Sequence, residues 1–195
     1  MPKIILHLCA DIGSDSKPYK ESGYDVRCIG EKIGVENYSP PRNVYGIIAN
    51  PPCTEFSFAK TTGKPRNLEN GLFLVRECQR IIWEAQELLN GHYSKQTTLK
   101  FWMLENPKGL LQKFLGRPVF EYSPWEFGDA YKKKTQIWGY FNEPKKSPID
   151  PKDLVKFDKL KTKEIHYQGN EHLTRQDRRS ICSPGFAKAF FEANQ

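Results

Sequence analysis

The sequence has no apolar run long enough to cross a bilayer. Its first residues, Met1-Pro2-Lys3 before Ile4-Ile5-Leu6, lack the apolar length and the small-residue cleavage point of a signal peptide. A cytoplasmic protein with no membrane partner is the expectation. The five cysteines (Cys9, Cys28, Cys53, Cys78 and Cys182) are scattered and odd in number, and no two stand at Cys-x-x-Cys spacing. That pattern points to neither a disulfide framework nor a zinc site. The four histidines, His7, His92, His166 and His172, are isolated and lack metal-ligand spacing, so neither a metal nor a role follows from them. Internal repeats and low-complexity tracts are missing too. Acidic residues are in short supply: 23 Asp and Glu stand against 30 Lys and Arg, a formal charge of +7. The excess favours a polyanionic partner, nucleic acid before an acidic membrane surface.

The 195 residues, 38% of them hydrophobic, suffice for one domain with a sizeable core. Residues 3–9, 24–29, 44–49 and 99–104 are short apolar runs that read as buried strands, and 119–127 and 135–141 read as later strands. Leu72 to Leu89 carries Leu72, Val75, Cys78, Ile82 and Ala85 on one helical face, and Asn90-Gly91 would end it. Residues 144–163 are lysine- and proline-rich and read as loop, and a last helix is expected over 186–193. Strands alternating with helices predict an α/β fold with a doubly wound, mostly parallel sheet. A single domain over 1–195 is expected, with a small loop-rich insertion at about 142–179.

Three of the predicted strands run into polar, turn-forming tails: Ala10-Asp11-Ile12-Gly13, Asn50-Pro51-Pro52-Cys53 and Glu105-Asn106-Pro107. In a doubly wound sheet these tails share the rim where ligands bind. Pro51 and Pro52 have fixed φ and no backbone donor, so they form a stiff turn that presents the Cys53 thiol, a nucleophile when ionised. Glu105, at the end of an apolar strand, is placed for partial desolvation, which raises a carboxyl's pKa toward neutrality and makes it a usable acid.

Pro51-Pro52-Cys53 and Glu105-Asn106, in that order and each after a strand, resemble the two catalytic motifs of the cytosine-carbon-5 DNA methyltransferases. Phe56-Ser57 matches the Phe-Ser that follows the family's nucleophile, and Pro107 stands where Val or Pro is usual. The resemblance runs over residues 3–141 and resumes at Ser183 to Ala193, which is similar to the family's closing helix. It implies a Rossmann-like S-adenosylmethionine-dependent methyltransferase fold and a short, phage-like member. It also implies that Cys53 attacks carbon 6 of a cytosine in DNA while Glu105 assists at ring nitrogen 3, with the base flipped out of the duplex. Asn106 would hold Glu105 or the turn. Thr54 and Ser57 would meet a phosphate, and Lys133, Lys134 and Gln136 would contact DNA. Ala10, Asp11, Ile12, Gly13, Glu31, Glu36, Asn50 and Pro51 would hold the cofactor, S-adenosylmethionine or a modified derivative.

The sequence departs from the family pattern on the donor side. Asp11 replaces a glycine of the first loop, and Gly30 and Gly34 occupy places where acids are usual, with Glu31 and Glu36 nearby. A modified donor is therefore one alternative. The region before the closing helix is short, so a short or relaxed target sequence is expected, and single-stranded DNA or a free nucleotide stays open as substrate. Two other readings remain. Asn50-Pro51-Pro52 also fits amino-methyltransferases, although those place an aromatic residue where Cys53 stands. A DNA-binding module that has lost donor binding is the other. Basic clusters at Lys132 to Lys134 and at Arg175, Arg178 and Arg179 suit DNA phosphates or a solvated surface equally.

Overall fold

The computed structural model describes residues 2–10, 12–58, 60–61, 63–88, 92–93, 98–150, 152, 154–156, 173, 177 and 180–195. Most of the expected insertion, the cluster of Arg175, Arg178 and Arg179, and Asp11 lie outside the described residues.

Six strands form one sheet: β1 (Ile4–Leu8), β2 (Asp25–Ile29), β3 (Val44–Ala49), β4 (Phe101–Pro107), β5 (Phe120–Tyr122) and β6 (Thr135–Tyr140). Their order across the sheet is β2-β1-β3-β4-β6-β5. The first four run parallel, and β6 runs antiparallel to both β4 and β5. The mixed α/β architecture and the mostly parallel sheet are those expected. Two further strand pairs are only two residues long.

Side chains alternate across each strand, so both faces of the sheet must be covered. Ile4, Leu6 and Leu8 of β1 pack with Ile47 and Ala49 of β3 against Val75, Cys78, Ile81 and Ile82 of helix α2 (Leu68–Gln86). Ile5, Ile48, Phe101 and Met103 face the other way. They pack on Tyr19 of α1 (Lys17–Glu21) and on Phe186, Ala187 and Phe190 of the last helix (Pro184–Ala193). Each fully buried aliphatic or aromatic side chain contributes about 1.5–3 kcal/mol. Gly46 of β3 is required by close approach: a Cβ there would lie 2.2 Å from the ring of its register partner Phe101.

Three elements have bounds that differ from expectation. Helix α2 starts at Leu68 because the Asn67 side chain accepts from the Asn70 amide at 2.9 Å, and it stops at Gln86, where Glu87 turns extended. The expected stop at Asn90-Gly91 lies outside the described residues. The strand expected over 119–127 is short, because Ser123 and Glu126 form a capping box with Pro124 in first position, which makes Pro124–Phe127 a 3₁₀ turn. Strand β4 does not end at Leu104. Glu105, Asn106 and Pro107 continue it, paired with Ile137, Gln136 and Thr135 of β6.

Candidate active site

The chain leaves β1 for β2 on one side and returns to β3 on the other, so the sheet's switch point lies beyond the carboxyl ends of β1 and β3. At that end the face that buries Ile5, Ile48 and Met103 turns polar two residues further on each strand: His7, Asn50 and Glu105. The three side chains form a row across adjacent strands. His7 Nε2 stands 2.7 Å from Asn50 Oδ1, and Asn50 Nδ2 donates to Glu105 Oε2 at 3.2 Å. On the far side His7 Nδ1 lies 2.8 Å from the Ser16 hydroxyl.

Glu105 keeps some exposed surface, but protein crowds its carboxyl, and desolvation pushes its pKa up to about 7. Lys133 and the Asn50 hydrogen bond oppose that rise, and the Asp15 carboxylate adds to it. Near neutral pH the group is thus poised between acid and base. It opens on a cleft lined also by Asp15, Asn50, Lys133, Cys182 and Ser183. Burial, with Asp15 next in effect, pushes the Cys182 thiol well up, so this cysteine stays protonated and is no nucleophile. Burial also lowers the pKa of His7, keeping the imidazole neutral at pH 7.

Cys53 follows the Pro51-Pro52 turn at the end of β3 and is partly exposed. Its carbonyl accepts from the Phe56 and Ser57 amides at 3.0 and 2.8 Å, closing a helical turn under the thiol. Phe56 is fully buried in the core, and its carbonyl accepts from Leu110 at 2.8 Å. Arg66 donates to the carbonyls of Glu55, Ser57 and Lys60 at 2.8–2.9 Å, fastening the loop from outside. Asn106, wholly buried beside Glu105, donates to the Pro51 carbonyl at 2.8 Å. The thiol turn and the carboxyl strand are therefore braced against each other at both ends.

Of the expected DNA contacts, Thr54 is exposed beside Cys53, and Ser57 forms a bridge with Gly109. Lys134 pairs with Glu121 at 3.0 Å, and Lys133 lines the cleft. Gln136 is fully buried and donates to Gln112 and Glu121 at 3.0 and 2.6 Å, on a stretch of β6 where Thr135 to Trp138 are buried on both faces. On the donor side Ala10 is buried, Ile12 is exposed, and Gly13 takes a φ of 70°. Glu31 and Glu36 are exposed past the end of β2. Asn50, expected beside the cofactor, hydrogen-bonds through its amide with His7 and Glu105, and Pro51 is buried against Asn106.

His7, Asp15, Ser16 and Cys182 belong to the site without having been expected there. For His7 the sequence carried a signal: Ile5-x-His7, Ile48-x-Asn50 and Met103-x-Glu105 all step from apolar to polar at a spacing of two. Among the described residues no cluster of His, Cys, Asp and Glu can hold a metal ion, and no helix is long and apolar enough to cross a membrane.

No family model matches the chain, and no curated protein matches it. Among solved structures it is similar to a prophage-encoded E. coli protein described as a DNA modification methyltransferase, at 14% identity and a TM-score of 0.47. The match covers 70% of this chain and 46% of that one, so this chain spans less than half of that protein's length.

Proposed function

We propose that the protein methylates carbon 5 of cytosine in DNA, with Cys53 as nucleophile and Glu105 as acid. The observation that carries this reading is a carboxyl near pKa 7 tied, through Asn106 and the Pro51 carbonyl, to the turn that presents a thiol. The Cys53 thiolate bonds to carbon 6 of the base. As the ring takes up that electron pair, Glu105 gives its proton to ring nitrogen 3, so the charge does not build on the ring. Carbon 5 would then take the methyl group as its bond to the donor's sulfonium sulfur breaks, the electron pair leaving with sulfur as a neutral thioether. Loss of the carbon 5 proton to water restores the double bond, expels the Cys53 thiolate and returns the nitrogen proton to Glu105. Asn50 and Asn106 orient the acid and the turn, and the crowded cleft keeps bulk water from the acid.

S-adenosylmethionine supplies the electrophilic methyl group. The donor side suits it in chemistry: the exposed carboxylates of Glu31 and Glu36 match ribose hydroxyls, and Ala10 and Gly13 keep the loop after β1 small. Lys132, Lys133 and Lys134 bring positive charge to the rim for the DNA phosphates, in keeping with the chain's charge of +7. The test is nucleoside mass spectrometry of double- and single-stranded DNA incubated with protein and S-adenosylmethionine. The reading expects 5-methylcytosine from the wild type and none from Cys53→Ala. N4-methylcytosine or N6-methyladenine, retained in Cys53→Ala, would replace it with exocyclic amine methylation.

A further inference from the structure

His7 takes no part in the steps above, yet both of its ring nitrogens are engaged. It sits on the central strand β1 with 2% exposure, between Ser16 and Asn50. Asn50 decides the direction of the bonds. An amide that donates through Nδ2 to Glu105 presents Oδ1 to His7, so His7 Nε2 must carry the ring proton. Nδ1 is then an acceptor, and the Ser16 hydroxyl, which also lies 3.2 Å from the Gly13 carbonyl, gives its single proton to the nearer ring nitrogen at 2.8 Å. Donors thus run one way, from Ser16 to His7 to Asn50 to Glu105, and each bond polarises the next. The Asp15 carboxylate lies 3.8 Å from Nε2, and burial outweighs its pull, so the ring stays neutral and keeps this tautomer at pH 7. An apolar side chain would fill the same place without a buried polar network to satisfy, so packing alone does not account for the row.

The last bond matters most. Glu105 Oε2 accepts from Asn50, so it is the unprotonated oxygen in the acid form, and the proton is carried by Oε1. We propose that His7 is a positioning residue for Glu105: acting through Asn50, it fixes Oε2 as the accepting oxygen and leaves Oε1 to carry the transferable proton. This rests on the reading of Glu105 as the acid. The charged and titratable groups around the pair are Asp15 from the loop after β1, Lys133 ahead of β6, Tyr122 on β5, and Tyr131 and Cys182 across the cleft. Tyr122, Tyr131 and Cys182 are all pushed upward by burial, so they remain neutral while Glu105 titrates.

The test is a carboxyl-carbon NMR titration of protein labelled at the glutamate side-chain carboxyl, without DNA or donor, with the Glu105 signal assigned through Glu105→Gln. In His7→Leu the Asn50 amide loses the donor that orients it, rotates, and offers Oδ1 to the neutral acid. The Glu105 midpoint should rise by about one pH unit. His7→Gln puts an amide N–H where Nε2 stands, and should return the midpoint to the wild-type value. An unchanged midpoint in His7→Leu, or the same displacement in both variants, would overturn the proposal. Should His7→Leu not fold, Ser16→Ala carries the test. Without the hydroxyl the other tautomer becomes accessible, so the midpoint should rise by roughly half a unit, and no rise would overturn the proposal. Because the titration involves neither DNA nor methyl donor, failure of methyl transfer leaves its result standing. A negative titration likewise leaves methyl transfer standing.

Discussion

The amide of Asn106 donates to the carbonyl of Pro51 at 2.8 Å, joining positions 55 residues apart in the sequence. Asn106 neighbours Glu105, and Pro51 opens the turn that presents Cys53, so this bond sets the carboxyl strand against the thiol turn. Asn106→Ala leaves a buried carbonyl without its donor and should cost about 1–3 kcal/mol in urea unfolding. Asn106→Asp should cost more, because it sets a buried carboxylate against that carbonyl. A loss in Asn106→Asp no larger than in Asn106→Ala would show that the bond is not what holds the turn.

Glu105 makes stability depend on pH in a stated direction. Its pKa is about 7 in the fold against an ordinary 4.5, so the folded state holds its proton more tightly than the unfolded state. Stability from this group is therefore full below about 4.5, falls as pH rises, and is lost above about 7. Glu105→Gln removes the charge that must be buried. At pH 8 it should be more stable than wild type, by on the order of 3 kcal/mol, with the advantage fading at pH 4.5. Thermal unfolding of both proteins across this range measures it, and parallel curves would contradict it.

Lys133 holds the Glu105 pKa down by its charge, against the larger effect of burial. Lys133→Met should therefore move the alkaline limb of the methyl-transfer profile to higher pH, as more of the acid stays protonated. The position of the limb is the readout, because loss of a DNA contact would lower the rate at every pH without moving it. A limb that moves down would reverse the assigned sign.

The last helix begins against Asp129, whose Oδ2 accepts from the Ser183 hydroxyl and from the Gly185 amide at 3.0 Å. Ser183 in turn caps Phe186 at 3.3 Å. Ser183→Ala should cost about 1–2 kcal/mol. Gly185→Ala should cost at least as much, since its Cβ would fall 1.9 Å from the Phe127 carbonyl. Circular dichroism melts of the two variants check both, and an unchanged Gly185→Ala would mean that this contact relaxes freely.

The sheet was legible because its central strands are buried on both faces. Ile4–Leu8, Val44–Ala49 and Phe101 to Leu104 read as apolar runs, and the polar tails after them gave the rim. Cys53 and Glu105 stand out in the sequence as a thiol after a Pro-Pro turn and a carboxyl at the end of an apolar strand. The burial of Gln136 is not legible beside three lysines, because it comes from the packing of Gln112 and Glu121 on β6. The signal at His7 is faint, because the step from apolar to polar at a spacing of two shows only when the three strand ends are set side by side. Its meaning appears only once register sets it beside Asn50, and that pairing across 43 residues is not contained in either segment alone.

The central claim is a covalent bond between Cys53 and cytosine, and its most direct measurement is intact-mass spectrometry of the protein mixed with 5-fluorocytosine DNA and S-adenosylmethionine. Fluorine at carbon 5 cannot leave as a proton, so the reaction stops with the enzyme attached. The account predicts an adduct carrying one added methyl group, present in wild type and missing in Cys53→Ala. Folded wild-type protein that gives no adduct on double- or single-stranded DNA, or an adduct that persists in Cys53→Ala, would contradict it.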